Sequence, residues 1–312
     1  MASETRQTIR ADRARLILPV LCVLAMSCRA PRTETYTDGP ASTPRRIVSL
    51  IPAATEILFA LGAGDRLVGR TRWGVHPPEA AAVPDVGDGV RPSLEVVIAR
   101  DPELVILFEG QDTEGIAGRL GDMGIPILSL RHNSLADLHR NVALLGEAVG
   151  CSGAAQALSR RIEEDLRDVS QAVAGLERRR VYYDVWTDPP MTIGRGSYLD
   201  SLVTIAGGRN VFGDLEAPSP EVGLEAIVHR DPEIIVHPVS RAPDAFDDPP
   251  EKRAAWQAVG AVSAGRVAVV DADLLGRLGP RVGAATRELA LALHPTARID
   301  PLPAVGNDRC SP

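Results

Sequence analysis

Ser93-Leu-Glu-Val-Val-Ile-Ala-Arg-Asp-Pro-Glu-Leu-Val-Ile-Leu107 is matched, at a constant offset of 130 residues, by Gly223-Leu-Glu-Ala-Ile-Val-His-Arg-Asp-Pro-Glu-Ile-Ile-Val-His237. The copies share Leu94/Leu224, Glu95/Glu225, Arg100/Arg230, Asp101/Asp231, Pro102/Pro232 and Glu103/Glu233, followed by an apolar run. Each reads as a short helix, a stop at Asp-Pro and a buried strand, because Pro cannot continue a helix and Asp favours the turn. A long-range repeat of this kind predicts two α/β units of like construction. Glu95 and Glu225 are left over from that explanation. Both fall in the first turn of a short helix, where the helix dipole favours a carboxylate by ~0.3–1 kcal/mol; the sharper reading makes them two equivalent surface acids, one per unit, that meet a partner symmetrically.

Outward from the repeat, β-branched runs alternate with helical patterns, which implies parallel sheet order. Arg46–Leu50, Arg66–Gly69, Glu103–Leu107 and Pro126–Leu130 read as strands of a first lobe over 45–149, with helices near 53–61, 113–123 and 134–149. Residues 150–178 are different: Ala-rich, without Pro, with Leu158, Ile162, Leu166, Val169 and Val173 spaced by three and four. At 1.5 Å per residue that helix spans a whole lobe, roughly 35–40 Å. Alternation restarts over 179–297, with strands at Arg180–Trp186, Glu233–His237 and Arg266–Val270. Residues 298–312 read as a loose tail.

The chain has 312 residues, 45% hydrophobic letters and a formal charge of -7, enough for two cored lobes. An acidic body argues against nucleic acid, whose binding rests on Lys and Arg against phosphate. Residues 1–28 join a basic stretch (Arg6, Arg10, Arg13, Arg15) to an apolar run from Leu16 to Met26, too short for a permanent span. The run ends in Leu24-Ala-Met-Ser-Cys28, with the shape of a lipobox at which Cys28 is acylated; the alternative is secretion after a nearby small residue. Residues 29–44, rich in Pro, Thr and Ser, read as a flexible tether. Cys151 and Cys310 remain, either joined or as two free thiols.

Two lobes on one long helix behind a lipobox resemble the helical-backbone class of ABC-importer substrate-binding proteins, over about residues 45–295. The resemblance is nearest to the vitamin-B12-binding branch, through Ile47-Val-Ser-Leu-Ile-Pro-Ala-Ala-Thr-Glu56, His76-Pro-Pro-Glu-Ala80, Asp188-Pro-Pro-Met191, Ala206-Gly-Gly-Arg-Asn-Val-Phe212 and Arg277-Leu-Gly-Pro-Arg281. It implies two Rossmann-like α/β lobes joined by a spanning helix, the class III periplasmic-binding-protein fold. It implies a monomer that is not an enzyme, has no intrinsic cofactor, and lies lipid-anchored or secreted on the extracytoplasmic side. Its ligand is expected to be a metal chelate, cobalamin or another corrinoid first, ferric siderophore or haem next, with a permease as partner. Docking glutamates of the family fall on Glu95 and Glu225. Ligand contacts fall on Trp73, Phe108 and Arg277, with Trp186, Pro52 and Ser219 beside them; two aromatic positions of the branch hold Gly89 and Ser219, and a third holds Val185. A bare zinc or manganese receptor would need three or four converging ligands. Of the six histidines, His76 and His237 are the ones expected near the cleft, His76 as an axial ligand to a chelated metal. No H-E-x-x-H, G-x-S-x-G or phosphate-cradling glycine motif is present. The alternatives are such a zinc or manganese receptor, or a surface sensor or adhesin that keeps the fold without a transporter.

Overall fold

The structure, a computed structural model, describes residues 43–89, 92–110, 115–240, 249–303 and 310. The signal segment, Cys28 and nearly all of the tether lie outside the described residues. In the first lobe β1 (Ile47–Ser49), α1 (Pro52–Ala60), β2 (Leu67–Arg70), α2 (Leu94–Ile98), β3 (Leu104–Phe108), α3 (Ile116–Asp122), β4 (Ile127–Leu130) and α4 (Leu135–Ala148) follow in order. Their strands form one parallel sheet, β2-β1-β3-β4. A parallel strand is covered on both faces, so it reads as a continuous apolar run, and the first four residues of β3 are all buried.

After α5 (Ser152–Val173), the second lobe runs β5 (Arg179–Tyr183), β6 (Trp186–Thr187), β7 (Pro190–Met191), α6 (Tyr198–Ile205), β8 (Gly208–Asn210), α7 (Leu224–Arg230), β9 (Ile234–Val239), α8 (Gly260–Ser263), β10 (Val267–Asp271), α9 (Ala272–Leu275) and α10 (Val282–Leu293). Its sheet, β8-β5-β9-β10, repeats the first lobe's order, with the second strand outermost and the first beside it. The β6–β7 ribbon and β8 escape sequence reading because two- and three-residue strands with polar or Pro content carry no periodicity. Trp256, expected as packing, is buried against Tyr182, ring centroids 5.7 Å apart.

The repeat explains itself in three dimensions. Asp101 and Asp231 take left-handed φ of 48° and 45°, a region few L-residues other than Asn and Asp visit readily. The Arg46 guanidinium donates to the Arg100 and Asp101 carbonyls; Arg180 Nε donates to the Asp231 carbonyl at 2.9 Å. Glu103 accepts the Arg45 N–H at 2.6 Å, and Glu233 accepts that of Arg180 at 2.7 Å. Arg-Asp-Pro-Glu therefore ties the end of a helix to the start of each lobe's first strand. Glu95 and Glu225 do neither. Both are exposed, and neither side chain makes a hydrogen bond or ion pair among the described residues.

Helix α5, 22 residues and about 33 Å long, buries one stripe (Ala155, Leu158, Ile162, Leu166, Val169, Val173). It packs on α4 of the first lobe and on α6 and α10 of the second. Approach is close at two glycines: a Cβ on Gly146 of α4 would lie 2.4 Å from Ala155 Cβ, and one on Gly283 of α10 would lie 2.5 Å from Asp165 Cβ. Larger residues there would push the rod off a lobe.

The described part of the tail corrects the expectation of looseness. Ile299 is buried, Arg287 donates to the carbonyls of Ile299 and Asp300, and Arg161 donates to the Pro303 carbonyl at 2.7 Å. Cys310 is joined to Cys151, with an S–S distance of 2.09 Å, which closes the choice left open above. Apolar contact is the cause: Ile299 and Leu302 extend the core cluster shared by α5 and α10.

Asp165 lies on the buried stripe of α5, and burial, opposed by Arg161, pushes its carboxyl above the ordinary range. An acid with a raised folded-state pKa binds its proton better folded than unfolded, so its cost is present above the folded pKa and fades as pH falls through it. Asp165→Asn is expected to raise the urea midpoint at pH 7, with the advantage shrinking as pH falls through the raised folded-state pKa and gone below about pH 4.

Candidate functional site

The lobes meet through a buried carboxylate. Glu56, on α1, is 4% exposed. Arg281 of the second lobe grips it with both arms of its fork, Nε to Oε2 at 2.9 Å and Nη2 to Oε1 at 2.7 Å. Arg277 Nη1 adds a third donor at 3.4 Å, while its Nη2 reaches Asp273 at 3.3 Å. Bidentate guanidinium–carboxylate pairs are among the stronger charge-assisted contacts, and they fix orientation as well as distance.

Beside this clamp lies a cavity of about 400 Å³. From the first lobe it is lined where strands end: Leu50 to Ala54 after β1, Thr71 and Trp73 after β2, Phe108 at the end of β3, Leu130 and His132 at and after β4. Open α/β sheets present ligand sites at the carboxyl ends of their strands. The second lobe contributes Tyr198, Ala272, Asp273, Gly276, Arg277 and Leu278. Arg70 shapes this wall, since its buried guanidinium donates to the carbonyls of Thr71, Ala80 and Ala81 and so gathers in the loop that carries Trp73. Tyr198 Oη donates to the Leu275 carbonyl at 2.7 Å, and burial pushes its phenol up.

The lining is mostly apolar with a few polar groups, as small-molecule sites are. Trp73 is 42% exposed, a large ring that an apolar ligand face would cover. Phe108 and His132 stack with centroids 4.3 Å apart at 47°. Burial, only partly opposed by Asp137, lowers the His132 pKa, so its imidazole is neutral at pH 7. Thr71 Oγ1 and Asn141 Oδ1 are buried without a hydrogen-bond partner among the described residues. Such atoms carry a desolvation cost that a ligand's polar edge relieves.

Pro52, Trp73, Phe108 and Arg277 thus come together in the cavity. Gly89 lines it too, and a Cβ there would lie 2.5 Å from the Leu50 carbonyl oxygen, so this loop leaves no room for an aromatic. Four expected residues are not brought to it. Trp186 sits on the β6–β7 ribbon, half exposed, its Nε1 donating to the Asp188 carbonyl at 2.8 Å. Ser219 is exposed on the stretch between β8 and α7, outside the lining. His76 lines a separate small pocket with Glu56 and Arg281, behind the clamp, where burial first and then Arg281 lower its pKa. His237 is also withdrawn, its Nδ1 2.8 Å from buried Asp184 Oδ2. The histidine that does line the cavity is His132, which sequence reading left on a helix flank. The strand-end rule that picks Trp73 and Phe108 also picks His132, two residues past β4.

The model of the periplasmic binding protein family matches residues 47–274. The chain belongs to that family. As a periplasmic binding protein it is the solute-binding component of an ABC transporter, which takes a small ligand and docks on permease components. The uncharacterized ABC transporter substrate-binding lipoprotein YvrC of Bacillus subtilis is 32% identical over 259 residues, covering 81% of each chain. Among solved structures, the periplasmic vitamin B12 binding protein BtuF of Vibrio cholerae superposes with a TM-score of 0.67 at 26% identity, over 80% of this chain and 97% of its own. A periplasmic heme binding protein from Pseudomonas aeruginosa gives 0.69 at 25% identity, over 82% and 94%. Among the described residues no helix is long and apolar enough to cross a membrane.

Removing the Glu56 charge strands Arg281 at the lobe junction and leaves Arg277 with Asp273 alone. Glu56→Gln is expected to cost about 3 kcal/mol of unfolding free energy in urea, since breaking one side of a buried pair leaves the other uncompensated; a loss below about 0.5 kcal/mol would show that the clamp is not structural.

Proposed function

We propose that this binding protein captures a metal chelate between its lobes, a flat corrinoid such as cobalamin or, next, haem or a ferric siderophore, and hands it to an importer. The observation that carries this is the apolar cavity walled by Trp73 on one strand end and the Phe108–His132 stack on others, with Arg277 at its edge. Tetrapyrroles offer broad apolar faces and a polar rim, and aromatic rings and one cation suit those two features. The likeness to a vitamin B12 binding protein and to a heme binding protein supports the same class.

Delivery falls to Glu95 and Glu225. Each holds the same place in its lobe's copy of the repeat, exposed and unpaired among the described residues, as two symmetric contacts to basic permease pockets require. Charges of this kind set register and on-rate. Acylation of Cys28 keeps the protein on the extracytoplasmic face near its permease; one chain with no second signal binds membranes only weakly, so the anchor is expected to carry more than one acyl group.

One experiment separates capture from delivery. The protein and its Glu95→Ala/Glu225→Ala form are titrated with cobinamide, cobalamin and ferric haem, following Trp fluorescence, and both are assayed for uptake in cells lacking the wild-type copy. Equal quenching with uptake reduced to background is expected. Quenching by none of the chelates would contradict capture, and full uptake by the double variant would contradict docking.

A further inference from the structure

We infer that His132 is the metal-facing donor of the cavity: its imidazole takes an axial position on the metal of the bound chelate, so the site prefers ligands that leave one axial position exchangeable. The inference rests on the proposed capture of a flat chelate.

His132 is exposed on the cavity wall, and neither of its ring nitrogens makes a hydrogen bond among the described residues. The buried histidines, by contrast, are spoken for, His237 by Asp184 and His294 by the Gly207 carbonyl at 3.2 Å. The ring is also held in place. Phe108 stacks on one side, and the loop bearing His132 is fixed from both flanks: the Arg131 carbonyl accepts from Asn141 at 2.5 Å, the Arg131 guanidinium pairs with Glu109, and the Asn133 and Ser134 N–H groups donate to Asp137 at 3.1 and 3.0 Å. A donor held this rigidly loses little freedom on binding.

One imidazole cannot hold a bare ion, because a protein site for zinc or manganese takes three or more side chains. Among the described residues no three His, Cys, Asp or Glu side chains converge on a common point. The metal that His132 meets must therefore arrive with its other positions filled, as a multidentate ligand such as a corrin or porphyrin fills them. Imidazole suits iron and cobalt. The step is a ligand exchange without redox change: a ring nitrogen donates its pair to the metal, and the axial water departs to solvent. A chelate whose two axial positions are both held by tight ligands gains nothing from His132.

The test uses ferric haem and diaquocobinamide, with dicyanocobinamide as the blocked comparison. With the wild-type protein the absorption bands of the first two are expected to move to those of an imidazole-ligated metal. His132→Ala and His132→Phe, the latter keeping a ring against Phe108, are expected to bind with Kd about tenfold higher and with unshifted bands. Free imidazole restores the shift in the Ala variant, and dicyanocobinamide binds all three forms alike. Thermal unfolding of the apo variants checks that they fold. An identical shift in wild type and variants, or quenching of Trp fluorescence by the chelates with no shift in the wild type, overturns the axial role alone. Absence of binding by every chelate overturns both this inference and the capture it rests on.

Discussion

A carboxylate from one lobe, enclosed by two guanidiniums from the other, is the contact on which the site depends. Glu56 sits one turn into α1, directly after the strand whose end forms the cavity floor, and Arg277 and Arg281 flank the Gly-Pro turn that leads into α10. Taking three charges out of water is expensive, and attraction repays it only with good geometry. The fork on Oε1 and Oε2 supplies that geometry. Its return is positional: it sets the distance between the strand ends of the first lobe and the α9–α10 corner of the second, and it holds Arg277 at the edge of the cavity.

Two further ties run parallel to the clamp. Helix α5 touches α4 and α10 at glycines that allow near-backbone contact, and the tail binds α10 and α5 before closing on Cys151 at the helix's first turn. A cross-link between residues 159 apart also removes much freedom from the unfolded chain. Clamp, rod and strap act at different places around the same junction, which favours a cavity that is formed before the ligand arrives.

Much of this was legible in the sequence, and the reason is periodicity. The strands, the rod and the doubled Arg-Asp-Pro-Glu show in local spacing; Trp73, Phe108, Pro52 and Arg277 came from the family resemblance, and the rule that ligands meet strand ends agrees with Trp73 and Phe108. What was not legible is what depends on contacts between distant residues. Trp186 looked like a strand-end ring, but its own hairpin folds it onto Asp188; His76 looked like a cleft residue until Glu56 and Arg281 closed in front of it. Ser219 lies on an exposed stretch that never reaches the cavity. The tail's Ile299 and Leu302 are too few to show a pattern, and their packing comes from α5 and α10, far away in sequence.

A clamped, strapped and rod-braced pair of lobes binds its ligand with little relative motion. Spin labels at Val96→Cys on α2 and Val228→Cys on α7, both exposed, with Cys22 and Cys28 replaced by Ser, would report the distance between lobes by pulsed EPR. One narrow distance distribution is expected, moving by less than about 2 Å when ferric haem or cobinamide saturates the cavity. A broad distribution in the unliganded protein, or a larger shift on binding, would contradict it.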